Sequence, residues 1–323
     1  MVQYLLTGVT GGLGAHVLEY FLAHVPHSSF AVASSNPAKA SEFTRQGIAF
    51  RVVDYNEPST LASAFQEVEN LFFVSSSTFD NERRRRQHQS VVDAAQQAGV
   101  KHIWYTSLAY GGHTSTSAVA VQQAHYMTEA MLKDSGVAYT SIREGLYTEA
   151  FPLFLNWYPS STTLYLPIPT GHTPEGLEHS QRVTFTSRQE LGHATARLLL
   201  RGGAAYKNQI VVLSAREAVS FHQIVEYINE ARAAAGREPV RVEFVGPEEF
   251  VQRNAADDEG GKARGFFEGL LSWHEGIARG EAVVEDGLMA EVLGREPTPA
   301  SVRIRELLRE VGGEYTWHQN YAA

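Results

Sequence analysis

The chain has 323 residues, no cysteine, 27 basic against 36 acidic side chains, and 43% of its residues in the hydrophobic set. That length and apolar content predict one large α/β domain, or a domain of about 150 to 200 residues with a smaller lobe. The missing cysteines exclude disulfides, thiolate zinc sites, iron–sulfur clusters and thiol nucleophiles together. A net charge of −9 makes nucleic acid and anionic membranes poor partners, because binding them rests on a cationic surface.

The N-terminal stretch MVQYLLTGVTGGLGAHVLEYF lacks a basic leader region and is broken by glycines, and no 18-residue apolar run occurs. The expectation is a soluble, cytoplasmic protein with no membrane contact. The 13 histidines do not gather with carboxylates at metal-ligand spacing and no H-E-x-x-H is present, so no metal is expected and the histidines read as dispersed over the surface.

In chain order, runs rich in β-branched and aromatic residues predict strands at 2–7, 30–34, 49–53, 70–75, 102–107 and 138–143, with helices between them at 12–24, 37–46, 58–67, 82–98 and 117–135. Strand, helix, strand at this spacing implies parallel pairing through right-handed crossovers, hence a Rossmann-type doubly wound parallel sheet. The stretch 151–176 is rich in aromatics and prolines and reads as loops or short elements over a pocket, with Phe151, Phe154, Trp157 and Tyr158 as its wall or lid. A helix at 187–200 and a strand at 209–214 restore the alternation; a helix at 220–235, a strand at 241–245 and helices at 247–254, 262–280 and 300–311 follow. This divides the chain into a nucleotide-binding domain at 1–150, completed by 185–215, and a smaller α/β substrate lobe at 151–323. The acidic loop 255–265 reads as mobile surface.

Gly8, Gly11 and Gly14 in TGVTGGLGA lie between the first strand and the first helix. Glycines there let the backbone turn sharply and approach a pyrophosphate, whose charge backbone N–H groups and the positive helix end can meet. The same spacing also serves an ordinary strand-to-helix turn. After the second strand come Ser34, Ser35, Asn36, Pro37, Ala38 and Lys39, with no carboxylate to repel a ribose 2′-phosphate and several groups able to bond one, which favours NADPH over NADH. Asn36 as a helix cap followed by Pro37 is an equally good local reading. Asp54 stands where it can reach an adenine, and Ser75, Ser76 and Ser77 end the fourth strand at the edge where ligands bind in open α/β sheets.

These segments, together with VVDYNEPSTLASAF at 52–65, AGVKHIWYTSLAY at 98–110, HYMTEAMLKDSGVAYTSIREGLYTE at 125–149 and LGREPT at 293–298, resemble the NmrA-like branch of the atypical short-chain dehydrogenases. Within that branch the likeness is greatest to NADPH-dependent quinone oxidoreductases; the branch also holds redox-sensing regulators. The resemblance implies dinucleotide contacts at Gly8, Thr10, Gly11, Gly12, Leu13 and Gly14, at Ser35, Asn36 and Lys39, at Ser75 to Ser77, and at Glu144, Gly145, Leu146, Tyr147 and Thr148. Relatives often carry Arg where this chain has Ser35, which implies a weaker grip on a 2′-phosphate.

Short-chain dehydrogenases protonate a carbonyl oxygen with a Tyr-x-x-x-Lys pair. Here Tyr105, Tyr110 and Tyr126 are followed four residues on by Ala109, Thr114 and Ala130, and Tyr139 by Arg143 on an expected strand. Candidate substitutes are Ser107 at the end of the fifth strand, His125 in the helix that normally carries the pair, and Tyr147 after the sixth strand. Each has a structural alternative: a turn cap, a packed histidine or a packed tyrosine. Glu129 matches a position of the branch, with bracing of the helix as its structural alternative. Arg83 to Arg86 point around the whole helix and read as a solvated run rather than a nucleic-acid stripe. The activity implied is hydride transfer from NADPH to a quinone or related conjugated carbonyl. Alternatives are an NADP(H)-sensing regulator with a protein partner, and a biosynthetic reductase of a polycyclic aromatic ketone or epoxide.

Overall fold

The structure, a computed structural model, describes residues 2–256, 258–310 and 315–317, so Asp257 of the acidic loop and Val311 at the end of the last expected helix lie outside the described residues. In the first half β1 (Val2–Leu6), β2 (Phe30–Ser34), β3 (Ala49–Val52), β4 (Val68–Phe73), β5 (His102–Leu108) and β6 (Ala138–Glu144) alternate with α1 (Gly12–His24), α2 (Ala40–Thr44), α3 (Pro58–Ala64), α4 (Asn81–Gln97) and α5 (Ala120–Asp134). The second half runs β7 (Leu146–Tyr147), α6 (Phe151–Leu155), β8 (Thr163–Pro167), α7 (Leu177–Ser180), β9 (Arg182–Val183), β10 (Phe185–Thr186), α8 (Arg188–Arg201), β11 (Gln209–Leu213), β12 (Val219–Ser220), α9 (Phe221–Ala234), β13 (Arg241–Val245), α10 (Pro247–Ala256), α11 (Arg264–Ala278), α12 (Leu288–Leu293) and α13 (Ala300–Glu310).

Seven strands form one sheet in the order β3-β2-β1-β4-β5-β6-β11, and every pairing in it is parallel. Neighbouring residues face opposite layers. Leu6, Phe72, Trp104 and Ile142 pack under α1 and α8, whereas Leu5, Leu71, Phe73, Ile103 and Tyr105 pack under α3 and α4. Both faces are therefore apolar, as two-sided burial demands of parallel strands. The chain steps outward from β1 to β3, then returns to place β4 on the other side of β1, so loops diverge above the β1–β4 boundary and open a cleft at the carboxyl edge.

The differences from expectation lie mostly outside this sheet. Pro37–Lys39 forms a single 3-10 turn before a five-residue α2, because Asn36 Oδ1 accepts the Ala38 N–H and closes the turn early. The stretch 151–176 holds a buried helix, α6, and a strand, β8, which pairs in parallel with β13. Loop 255–265 is largely exposed where it is described, as expected, but it is pinned at two points: Tyr158 Oη lies 2.6 Å from Asp258 Oδ1, and Lys262 bridges both groups. LGREPT is a clasp. Gly294 ends α12 at φ 73°, Arg295 pairs with Glu190 at 2.6 Å, and Thr298 donates to the same carboxylate from its N–H and its hydroxyl, tying the C-terminal segment to the first turn of α8. Four histidines, His88, His102, His125 and His274, are buried rather than dispersed on the surface. Among the described residues, no helix is long and apolar enough to cross a membrane.

Candidate functional site

The cleft has a volume of about 700 Å³ and runs from the glycine turn across the sheet edge to an aromatic pocket. Gly8 sits at φ 68°, and a β-carbon on Gly14 would stand 2.2 Å from the Gly8 carbonyl oxygen, so this turn closes only without side chains. No side chain caps α1 and no acidic residue lies in its first turn, which leaves the positive helix end for a ligand. Arg188, the first residue of α8, reaches this point: its Nη1 lies 2.6 Å from where a β-carbon on Gly12 would be. Its guanidinium is flanked by the rings of Tyr147 and Trp317 at 5.9 and 5.2 Å, and its buried Nε has no partner. A cation beside the positive end of a helix is unfavourable unless an anion sits between them. The arrangement fits a diphosphate.

Thr10, Gly11, Gly12, Leu13, Ser34, Ser35 and Asp54 also line the cleft, whereas Asn36, Lys39 and Thr148 do not. Asn36 is used by its own turn, and Lys39 pairs with Glu42 at 3.1 Å in an exposed contact free to rearrange. Thr148 is fully buried. Asp54 Oδ1 accepts from the Asn56 backbone and side chain. Ser75, Ser76 and Ser77 line the cleft on a loop held from below, where Thr106 Oγ1 accepts from Ser75 N–H and His88 Nε2 from Ser76 N–H. Because Nε2 accepts, the neutral ring carries its proton on Nδ1, which donates to Thr128 Oγ1 at 2.7 Å. Burial pushes the His88 ring down to about 3.

On α5, Val121 and His125 both line the cleft and stand four residues apart, so they share a helix face. His125 matches the packed alternative more closely than the proton-donor one. It is buried against Tyr105 Oη at 2.8 Å, and desolvation, with the charges of Arg84, His88 and Arg143, holds it well below its usual range. Ser107 lines the cleft but donates its hydroxyl hydrogen to Glu129 Oε1 at 2.8 Å, so it offers a ligand only lone pairs. Glu129 also accepts from Ser141 and pairs with the fully buried Arg143 at 2.7 Å, bracing α5 to the sheet.

Glu144, Gly145, Leu146 and Tyr147 carry the cleft wall past β6. Glu144 Oε1 accepts from Thr195, Oε2 has no partner, and burial pushes the carboxyl up to about 8. Burial likewise raises the Tyr147 phenol. Of the expected aromatic wall only Phe154 lines the cleft, joined by Leu153, Phe79 and Trp273. Phe151 and Trp157 stack on each other within a hydrophobic core built mainly from second-half residues, and Tyr158 belongs to the Asp258 clamp. The sequence reading also missed Arg84, Gln87, Tyr110 and Arg188, each of which lines the cleft with at least one buried polar atom lacking a partner. Among the described residues no group of three or more histidines and carboxylates is placed to hold a metal.

This sheet, with an uncapped glycine turn at its switch point, defines a Rossmann-type dinucleotide-binding protein. Residues 3–259 match the NmrA-like family, and the chain belongs to it. It is 49% identical over 323 residues to an NmrA-like family domain-containing oxidoreductase, flvB, of Aspergillus flavus, covering 99% of each chain. An NADPH-dependent quinone oxidoreductase of Escherichia coli, solved with NADPH, superposes with a TM-score of 0.79 at 27% identity, over 95% of this chain and 100% of that one. A triphenylmethane reductase of Citrobacter sp. complexed with NADP(H) gives 0.75 at 28% identity, over 94% and 99%.

Proposed function

We propose that the protein is an NADPH-dependent oxidoreductase that reduces a quinone or a related conjugated carbonyl. The observation that carries this reading is the approach of Arg188 to the uncapped N-terminus of α1 at Gly12. A dinucleotide diphosphate supplies the anion that both groups lack. The turn from Gly8 to Gly14 holds that diphosphate, Ser34 and Ser35 meet the ribose end with Lys39 swinging in, Asp54 and Ser75 to Ser77 frame the adenosine half, and Glu144 to Tyr147 shape the nicotinamide end. When bound, NADPH supplies a hydride. The relatives' names, an oxidoreductase and a quinone oxidoreductase among them, support the same class.

Residues 1–150, completed by 185–215, form the dinucleotide-binding part, and the remainder joins the loop after β4 and the start of α4 in shaping the acceptor site. Phe79, Phe154 and Trp273 give that acceptor an apolar aromatic wall, with 47° between the neighbouring ring planes, which suits an aromatic or quinonoid ring. Catalysis by this chain is chiefly positioning and exclusion of water. The test is NADPH consumption across a panel of benzoquinones and naphthoquinones, run in parallel with NADH. Turnover with NADPH preferred is the expected result; tight NADPH binding with no turnover on any acceptor overturns the reading and leaves a dinucleotide-responsive binding protein.

A further inference from the structure

Arg84 is the fourth residue of α4, and it stands apart from its three arginine neighbours. Arg85 and Arg86 pair with Glu82 in solvent, and Arg83 donates to Asn56. Arg84 is only 4% exposed and makes a single hydrogen bond, from Nη2 to the Thr78 carbonyl at 2.5 Å. Its Nε and Nη1 are buried with no partner, and it lines the cleft. A buried guanidinium with no carboxylate beside it among the described residues is costly to the apo fold, and a ligand oxygen in the cleft supplies such a group with an acceptor.

The surroundings say which part of a ligand that is. Arg84 stands one helical turn before His88, whose Nδ1 bonds Thr128 of α5, so it lies on the side of α4 that faces α5. The residue after its Thr78 partner, Phe79, packs its ring against Trp273 at 6.1 Å, and Trp273 packs against Phe154 at 5.4 Å. Arg84 and these three rings line the same cleft. Arg83 also lines the cleft but is bonded to Asn56, whereas Arg84 is the buried cation of α4 there.

We propose that Arg84 is the electrophilic catalytic residue for the acceptor: its guanidinium binds one oxygen of a quinonoid carbonyl and holds the charge that reduction places on it. The proposal rests on the reductase reading above. Hydride from the reduced nicotinamide dinucleotide bonds to one carbonyl oxygen of a quinone as its C–H bond at the nicotinamide breaks, the ring becomes aromatic, and the π pair of the opposite C=O moves onto the oxygen held by Arg84; a solvent proton then neutralises that aryl oxide, so acceptor and dinucleotide exchange two electrons. A guanidinium stays charged throughout and stabilises that oxygen without being a proton donor. The substrate class that follows is acceptors whose reduction leaves an aryl oxide.

Arg84→Met and Arg84→Lys test this in the full-length protein. Expected for Arg84→Met are an unchanged NADPH affinity, an apo melting temperature at or above wild type, and a fall of roughly 100-fold in kcat/KM for a naphthoquinone, with Arg84→Lys between the two. The NADP-loaded wild type binds an ionised hydroxynaphthoquinone, an aryl oxide probe, and Arg84→Met does not. Wild-type kcat/KM in Arg84→Met overturns the proposal, as does a loss of NADPH affinity by the same factor as kcat/KM, which makes Arg84 a dinucleotide anchor. If the wild type oxidises no NADPH, the reductase reading fails by itself, and loss or retention of aryl oxide binding still decides Arg84.

Discussion

Arg188 Nη1 occupies the space that a β-carbon on Gly12 would enter, 2.6 Å away, while the β-carbon of a residue at position 14 would meet the Gly8 backbone oxygen at 2.2 Å. The two glycines therefore respond differently to the same substitution. In Gly12→Ala the obstacle is the far end of a flexible side chain, so the protein folds with stability equal to wild type or up to about 1 kcal/mol higher from helix propensity. Its NADPH affinity falls, because Arg188 is pushed off the helix end. In Gly14→Ala the obstacle is main chain, and unfolding at lower denaturant together with lost NADPH binding is expected. Arg188→Ala keeps the fold and loses about 1.5 to 3 kcal/mol of NADPH affinity, the range for a hydrogen bond to a charged group. Titration of the three variants with NADPH, beside their denaturant midpoints, separates these outcomes.

Glu144 gives the apo protein an alkaline weakness. Its carboxyl is raised from 4.5 to about 8 in the fold by burial, so the native state holds a proton that the unfolded chain has released between those values. The associated stability is full below about pH 4.5 and is lost as pH rises through about 8. Glu144→Gln keeps a polar partner for Thr195 without the charge. It is expected to melt higher than wild type at pH 8 to 9, by on the order of a few kcal/mol, with the gap closing near pH 5. A gap that does not change with pH contradicts the buried neutral acid.

The buried histidines act in the opposite direction. His88 is pushed down to about 3 and His274 to about 4 by burial, so the unfolded chain takes up protons below its ordinary value near 6.5 while the native rings stay neutral. Their stability is present above pH 6.5 and lost as pH falls towards 4. His274→Phe removes one such ring beside Phe221 and Phe250. Thermal melts from pH 7 to pH 4.5 are expected to fall less steeply for this variant than for wild type.

The Glu129–Arg143 pair is a brace whose removal exposes its cost. Arg143→Met leaves a buried carboxylate with hydroxyl partners alone and is expected to cost about 3 to 5 kcal/mol in denaturant unfolding. The double variant Glu129→Gln, Arg143→Met recovers part of that loss, since the uncompensated charge is then absent. Additive losses contradict a coupled pair.

The parallel sheet was legible because apolar strand runs and helical spacing agree over the first half, and the glycine turn because its three glycines follow an apolar strand. The second-half elements were harder to place: β7, β9, β10 and β12 are two residues each and carry no periodicity. Arg188 reaches the glycine turn from a helix that begins 174 residues after Gly14, counted as 188 minus 14, and no local pattern marks that contact. Arg84 was within reach. Arg84, Gln87, His88, Val91, Val92 and Ala95 fall on one buried stripe of α4 at helical spacing, and its polar end is the part that faces the cleft. Reading four consecutive arginines as one solvated run hid the single position that the helix turns inward. His125 and Ser107 sit at the sheet edge, but their chemistry depends on Tyr105 and Glu129, partners that only the folded chain brings to them.

The central claim is that this cleft carries out hydride transfer from NADPH to a conjugated carbonyl. A single-turnover experiment without oxygen, mixing the NADPH-loaded protein with a naphthoquinone and following the nicotinamide absorbance, tests it directly. The account predicts loss of one NADPH per quinone reduced, at a rate slowed when the nicotinamide C4 hydrogen is replaced by deuterium on the transferred face. Absorbance that decays no faster than in a protein-free mixture, for every quinone tried and with NADPH bound, would contradict it.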